Sequence, residues 1–151
     1  MSAGATVSTA TYSSGVYASS WEDAVRAAGL DLVNAHAVGP AYIDEMLQII
    51  ENYGPYCVVA PGVAVPHANA GSLVRKDAVA VLALDEPVRF GHPHNDPVRL
   101  IVGIAATTAK RHITMLAGIA KALDAPGVVD AVVAAASRKE ALRLLGISVT
   151  S

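Results

Sequence analysis

Ala78-Val79-Ala80-Val81-Leu82-Ala83-Leu84 and, after a polar interval, Val98-Arg99-Leu100-Ile101-Val102-Gly103-Ile104-Ala105 decide the fold. Apart from Arg99 both are apolar over seven or eight positions, too short for ordinary helices and too continuous for strands with one wet face. They read as buried strands, the pattern of a sheet covered on both sides. Working outward, Val88-Arg89-Phe90 reads as a short separate strand and Gly91 to Pro97 as a loop. Upstream, Tyr56 to Ala60 favours β-structure, Pro61-Gly62 is a turn, and Val63 to His67 is a second short extended segment.

Helical signals flank this centre. Ser20 suits an N-cap with Asp23 three residues on, ahead of Trp21, Ala24, Val25, Ala28 and Leu32 at helical spacing. A second helix starts after Gly39-Pro40, carries Tyr42, Met46, Ile49 and Ile50, and stops at Gly54-Pro55. Downstream, Thr108 caps a helix bearing His112, Leu116, Ile119 and Leu123. Pro126-Gly127 breaks the chain, Val128 to Ala136 forms a further helix, and Ser137 with Glu140 opens a last one that ends near Gly146. Two helices, several strands and three helices predict an α/β domain with helices on both sheet faces. Residues 1–19, rich in Ser, Thr, Ala and Gly, are expected to be a loose or partly strand-like N-terminal arm, with the domain over 20–151.

Composition narrows function. The chain has 151 residues, 53% apolar and 16% charged, with a net charge of −2. That length suits one domain with a sizeable core. Its eleven Lys and Arg residues are scattered, so the concentrated basic face that nucleic-acid binding needs is missing. The single cysteine, Cys57, excludes an intramolecular disulfide and suits a reducing compartment. No secretory leader and no apolar run of about 18 residues is expected, so a cytoplasmic protein without direct membrane insertion is predicted.

Two of the five histidines stand out. His67 follows Pro66, whose ring stiffens the end of an extended segment where a loop opens. His112 lies in the first turn of its helix on the stripe of Leu116, Ile119 and Leu123, where free backbone N–H groups favour an anion. A neutral imidazole is an available nucleophile near neutral pH, and phosphoryl transfer depends on positioning and on neutralising the equatorial oxygens. The bland alternatives are a packed His67 bonded to a backbone carbonyl and a His112 bonded to its own helix end. His92-x-His94-x-Asp96 has metal-ligand residue types, but Pro93 and Pro97 make it a loop and Asn95-Asp96-Pro97 a turn, so no metal is expected. A small-molecule or metal-binding domain centred on His92 and His94 is the competing class. Cys57 sits in an apolar run and reads as a packed hydrophobe, His36 as solvated, and Gly103 as a point of close backbone packing. No Walker loop or dinucleotide fingerprint is present, and no cofactor is expected.

Pro61-Gly62-Val63-Ala64-Val65-Pro66-His67-Ala68, with His112-Ile113-x-x-Leu116 downstream, resembles the EIIA domains of the sugar phosphotransferase system, of the mannitol/fructose type. Trp21-Glu22-x-Ala24-Val25-Arg26, Tyr42-x-x-x-Met46, Gly54-Pro55-Tyr56 and Phe90-Gly91-His92-x-x-Asn95-Asp96-Pro97-Val98 extend the resemblance from about Trp21 to about Leu145, nearest to the ascorbate type. The resemblance implies a mixed β-sheet with helices on both faces. It implies a phosphohistidine carrier: His67 takes a phosphoryl group from the phosphocarrier HPr and passes it to a cysteine of EIIB, which serves the membrane component EIIC in uptake of ascorbate or a related sugar. His112 matches the second active-site histidine. An alternative within the family is a regulatory module whose phosphorylation state gates a partner protein; a homo-oligomer stays open. The sequence departs from the family in two places. Asn52-Tyr53-Gly54-Pro55-Tyr56 lacks the arginine of mannitol-type members, and Pro66-His67-Ala68-Asn69-Ala70 stands where ascorbate-type members often read Pro-His-Ala-Arg-Pro.

Overall fold

Strand β6 (Val98–Ala105) is the centre of the computed structural model, which describes residues 4–150. It is the middle member of a five-stranded sheet ordered β2 (Thr9–Val16), β5 (Ala78–Val88), β6, β4 (Val63–Ala64) and β3 (Val58–Ala60). The sheet is mixed: β2 runs parallel to β5 and β4 parallel to β6, whereas β5–β6 and β3–β4 are antiparallel.

Period-two alternation explains why the central runs are apolar throughout. Ala80 and Leu82 of β5 and Ile101 of β6 face one core with Ala28, Leu32, Tyr42 and Met46. Those four come from α1 (Trp21–Asn34) and α2 (Ala41–Tyr53). Val79, Val81, Leu100, Val102 and Ile104 face a second core with Met115, Ile119, Leu142 and Leu145. This second layer contains α3 (Ala109–Leu123), α4 (Val128–Val133) and α5 (Arg138–Leu144). Both faces of the sheet are therefore dry. Gly103 marks the closest approach of α1: a Cβ there would stand 3.1 Å from the Ala28 Cβ, as expected for close packing.

The helix starts follow their caps. Ser20, Thr108 and Ser137 each accept a backbone N–H from three residues on, donated by Asp23, Arg111 and Glu140 at 3.1–3.2 Å. Gly54, at φ +84°, ends α2 and donates to the Ile50 carbonyl.

Some elements differ from expectation. The arm, expected to be loose or partly strand-like, carries two strands that are integral to the domain: β1 (Ala5–Val7) pairs in parallel with β7 (Ile147–Val149), and β2 is an edge strand of the main sheet. The first three residues of that arm lie outside the described residues. Val88 does not begin a new strand; β5 continues through exposed Asp85-Glu86-Pro87, and Val88 pairs with Val98 after a register shift. Phe90 stacks on Trp21 at 6.1 Å instead of joining a strand. Helix α4 ends at Val133 rather than Ala136. The Tyr12 hydroxyl lies 2.9 and 3.0 Å from the Val132 and Ala135 carbonyls, and Ser137 must be extended to cap α5. The outer edge of β2 is blunted where Arg138 Nε donates to the Ala10 carbonyl at 2.7 Å. Among the described residues, no helix is long and apolar enough to cross a membrane.

Candidate active site

Beyond β4 the chain cannot continue as a regular strand, because Pro66 has no N–H to give. It is held instead by single bonds on either side: Val65 donates to the Cys57 carbonyl at 2.7 Å, and the Pro66 carbonyl accepts from Ile104 at 3.1 Å. His67 is thereby placed beside the C-terminal end of β6. The same end of β6 leads through Ala106 and Thr107 into Thr108, the cap of α3, and His112 follows one turn later.

The two imidazoles face each other with centroids 4.8 Å apart and planes at 76°. The sequence places them 45 positions apart; β6 brings them together. His67 Nδ1 lies 2.8 Å from the Val65 carbonyl oxygen. A carbonyl can only accept, so Nδ1 carries the proton and Nε2 keeps its lone pair. The bland expectation for His67, a ring bonded to a backbone carbonyl, is thus met on one nitrogen while the other stays available. Burial lowers the pKa of His67, opposed by the Val65 bond. Burial also lowers that of His112, with a further contribution from His67. Both rings are therefore held toward the neutral form at pH 7.

Tyr56 presents its ring to His67 edge-on at 5.5 Å, and its hydroxyl donates to the His67 carbonyl at 3.4 Å. Tyr42 is fully buried; its hydroxyl donates to the Ile104 carbonyl at 2.8 Å and accepts the Ala68 N–H at 3.1 Å. Asn69 donates its N–H to Glu45 Oε1 at 3.3 Å. Tyr42 and Tyr56 were legible as helix stripe and motif residues, but their hydroxyl contacts were not. Burial pushes both phenols up to about 12, so each remains a donor at neutral pH. Arg111, next to His112, is turned away: it pairs with Asp77 and donates to the Thr6 carbonyl.

The remaining candidates lie elsewhere in their roles. Both carboxylate oxygens of Asp96 accept backbone N–H groups, from Phe90, Gly91 and His92, and His92 Nδ1 accepts from His94 and Asn95. These residues build their own turn. Among the described residues, no three His, Cys, Asp or Glu side chains gather in a way that could hold a metal ion. Cys57 is fully buried, and burial raises its thiol to about 12. Two apolar side chains beside the histidines reach solvent: Tyr56, which packs edge-on against His67, is 42% exposed, and Ile113, next to His112, is 69% exposed.

The fold is thus α/β, a mixed sheet with helices on both faces, which holds a tautomer-locked histidine against a second one at a helix start. Residues 11–146 match the family described as phosphoenolpyruvate-dependent sugar phosphotransferase system, EIIA 2, and the chain belongs to that family. The ascorbate-specific EIIA component of Shigella boydii serotype 4 is 42% identical over 96 residues, 63% of this chain and 62% of its own length. The chain thus spans less than two thirds of such ascorbate-specific relatives. The crystal structure of IIA mannitol from Escherichia coli superposes with a TM-score of 0.76 at 33% identity, covering 89% of this chain and 94% of that one. The IIA chain in the complex of enzyme IIAMtl with phosphorylated enzyme IIBMtl from the same organism gives 0.78 at 32% identity, covering 89% and 92%.

Proposed function

We propose that His67 Nε2 accepts a phosphoryl group from phosphorylated HPr and passes it to a cysteine of an EIIB component, in the cytoplasm, for uptake of ascorbate or a related sugar. The observation that carries this reading is the 2.8 Å bond between His67 Nδ1 and Val65, which leaves Nε2 as the free nitrogen, with His112 4.8 Å away. In the acceptance step the Nε2 lone pair forms the N–P bond as the donor's bond to phosphorus breaks and the donor nitrogen leaves with its electron pair. In the second step the EIIB thiolate attacks phosphorus and the Nε2–P bond breaks, returning neutral His67. His112 donates to the equatorial oxygens, where charge accumulates. The Nδ1 bond to Val65 survives both steps, so the ring need not reorient.

The exposed apolar groups Ile113 and Tyr56, beside His112 and His67, suit docking of a partner that excludes water from the phosphoryl group. The EIIB partner is supported by the solved complex of the mannitol relative with its phosphorylated IIB. Ascorbate is supported by the names of the relatives near 40% identity. The test is intact mass after incubation with phosphoenolpyruvate, Enzyme I and HPr. Wild type should gain one acid-labile phosphoryl group, and His67→Ala none. Absence of any gain on wild type would overturn the reading.

A further inference from the structure

We propose that Asp77 is a positioning residue for phosphoryl transfer, fixing the start of α3 and with it the separation of His112 from His67; the inference rests on the reading of that pair as the transfer site. Asp77 lies at the head of β5, next to Ala78, which pairs with Ala105 of β6. Its Oδ1 accepts both the Thr107 N–H at 2.8 Å and the Thr107 hydroxyl at 3.0 Å. Its Oδ2 accepts from Arg111 Nε at 3.0 Å. Its own carbonyl accepts the Ser8 N–H at 2.8 Å. One carboxylate thus grips the residue before the Thr108 cap and the residue before His112.

The grip is well made. The Asp77 side chain is only 13% exposed, so the bonds form in a partly dry setting where they are strong. Burial alone would disfavour its charge, but the bonds from Thr107 and Arg111 outweigh that and hold the carboxyl below its usual range. Arg111 is clamped at its far end too, by the Thr6 carbonyl of β1. Among the described residues, no hydrogen bond joins His112 to a neighbour outside its own helix start: its N–H goes to Thr108. The ring is therefore placed by where α3 begins, and α3 begins where Asp77 holds it. His67 is set independently by Ile104, Tyr42 and Val65. Losing Asp77 should move one histidine and leave the other.

Two readouts test this on the full chain: steady-state phosphoryl transfer from phosphorylated HPr to an EIIB acceptor, and the NMR titration of the His112 ring. In Asp77→Ala, kcat should fall about ten- to hundredfold with little change in KM, since misplacement by about 1 Å costs that much without altering the docking surface. The His112 midpoint should rise toward about 6.5 as the ring leaves its buried seat beside His67. Asp77→Asn, which keeps an acceptor for Thr107, should recover part of kcat. Arg138→Ala, which breaks the distant Ala10 anchor, should lower stability and leave both readouts at wild-type values. A folded Asp77→Ala with wild-type kcat and wild-type His112 midpoint would overturn the inference. If Asp77→Ala does not fold, Asp77→Asn and Thr107→Val carry the same two readouts. If wild type takes no phosphoryl group, the transfer reading falls, and the His112 midpoint alone decides whether Asp77 places the ring.

Discussion

Tyr42 and Ala68 are joined by a 3.1 Å hydrogen bond, from the Ala68 N–H to the phenol oxygen, across 26 positions of sequence. The same phenol donates to Ile104 on the central strand, so one buried hydroxyl ties α2, β6 and the residue after His67. Phenylalanine would fill the space but leave the Ala68 N–H and the Ile104 carbonyl unpaired. An unpaired buried group costs about 1–3 kcal/mol. Tyr42→Phe should lose about that much stability in urea unfolding and should slow phosphoryl acceptance by His67. Wild-type stability would show that the hydroxyl is dispensable.

Burial depresses the folded-state pKa of both His67 and His112 below the unfolded value near 6.5. Above that value both states hold neutral rings and the pair contributes nothing to the pH dependence. As pH falls below it, the unfolded chain takes up protons first, so native stability declines until the folded rings protonate as well. The midpoint of urea unfolding should therefore fall between about pH 6.5 and 5. His67→Gln combined with His112→Gln should flatten the slope over that window; an unchanged slope would assign it to other groups.

Local chemistry made much of this fold readable in advance. Ser20, Thr108 and Ser137 were recognisable as caps, and the Val98–Ala105 run has the bounds of β6. The misses share a cause. Strands β1 and β7 are three residues each and exist because the two ends of the described chain meet, a pairing of Ala5 with Ile147 that no local pattern announces. Helix α4 stops early where Tyr12, from a strand 120 positions away, places its hydroxyl between the Val132 carbonyl and that of Ala135 just past the helix. The site divides the same way. His67 and His112 carry local signals, a preceding proline and a helix start, but the Tyr42 hydroxyl contacts and the Asp77 grip on Thr107 depend on the register of β5 against β6.

His36 occupies the position just past α1 at φ +61°, the left-handed region, where its N–H reaches Val33 and that of Ala37 reaches Leu32. An L-residue there pays roughly 1–2 kcal/mol that glycine does not, partly offset by glycine's greater freedom when unfolded. His36→Gly should raise unfolding stability by about 0.5–1 kcal/mol and leave phosphorylation unchanged. A loss of stability would point to side-chain contacts of His36 that outweigh backbone strain.

Cys57 has no exposed surface and a thiol raised to about 12, so almost no thiolate exists at neutral pH. A thiol-specific reagent should modify the native chain only through opening. The labelling rate should rise steeply with urea in parallel with unfolding. Rapid labelling in native buffer would mean that β3 and the segment before it open locally, which would also loosen the Val65 anchor on the Cys57 carbonyl.

Ile113 places an apolar side chain, 69% exposed, directly after His112. Its burial cannot stabilise the isolated domain, so its substitution should be nearly silent there, within about 0.5 kcal/mol. If the apolar rim is where HPr docks, Ile113→Lys puts a charge that must be desolvated at the centre of the contact. KM for phosphorylated HPr should then rise about tenfold, as for an interface residue worth roughly 1.4 kcal/mol, with kcat at saturation retained. This pattern is the reverse of that expected for Asp77→Ala, where kcat falls and KM holds. The two substitutions therefore separate docking from placement, and an Ile113→Lys protein with wild-type KM would move the docking surface away from α3.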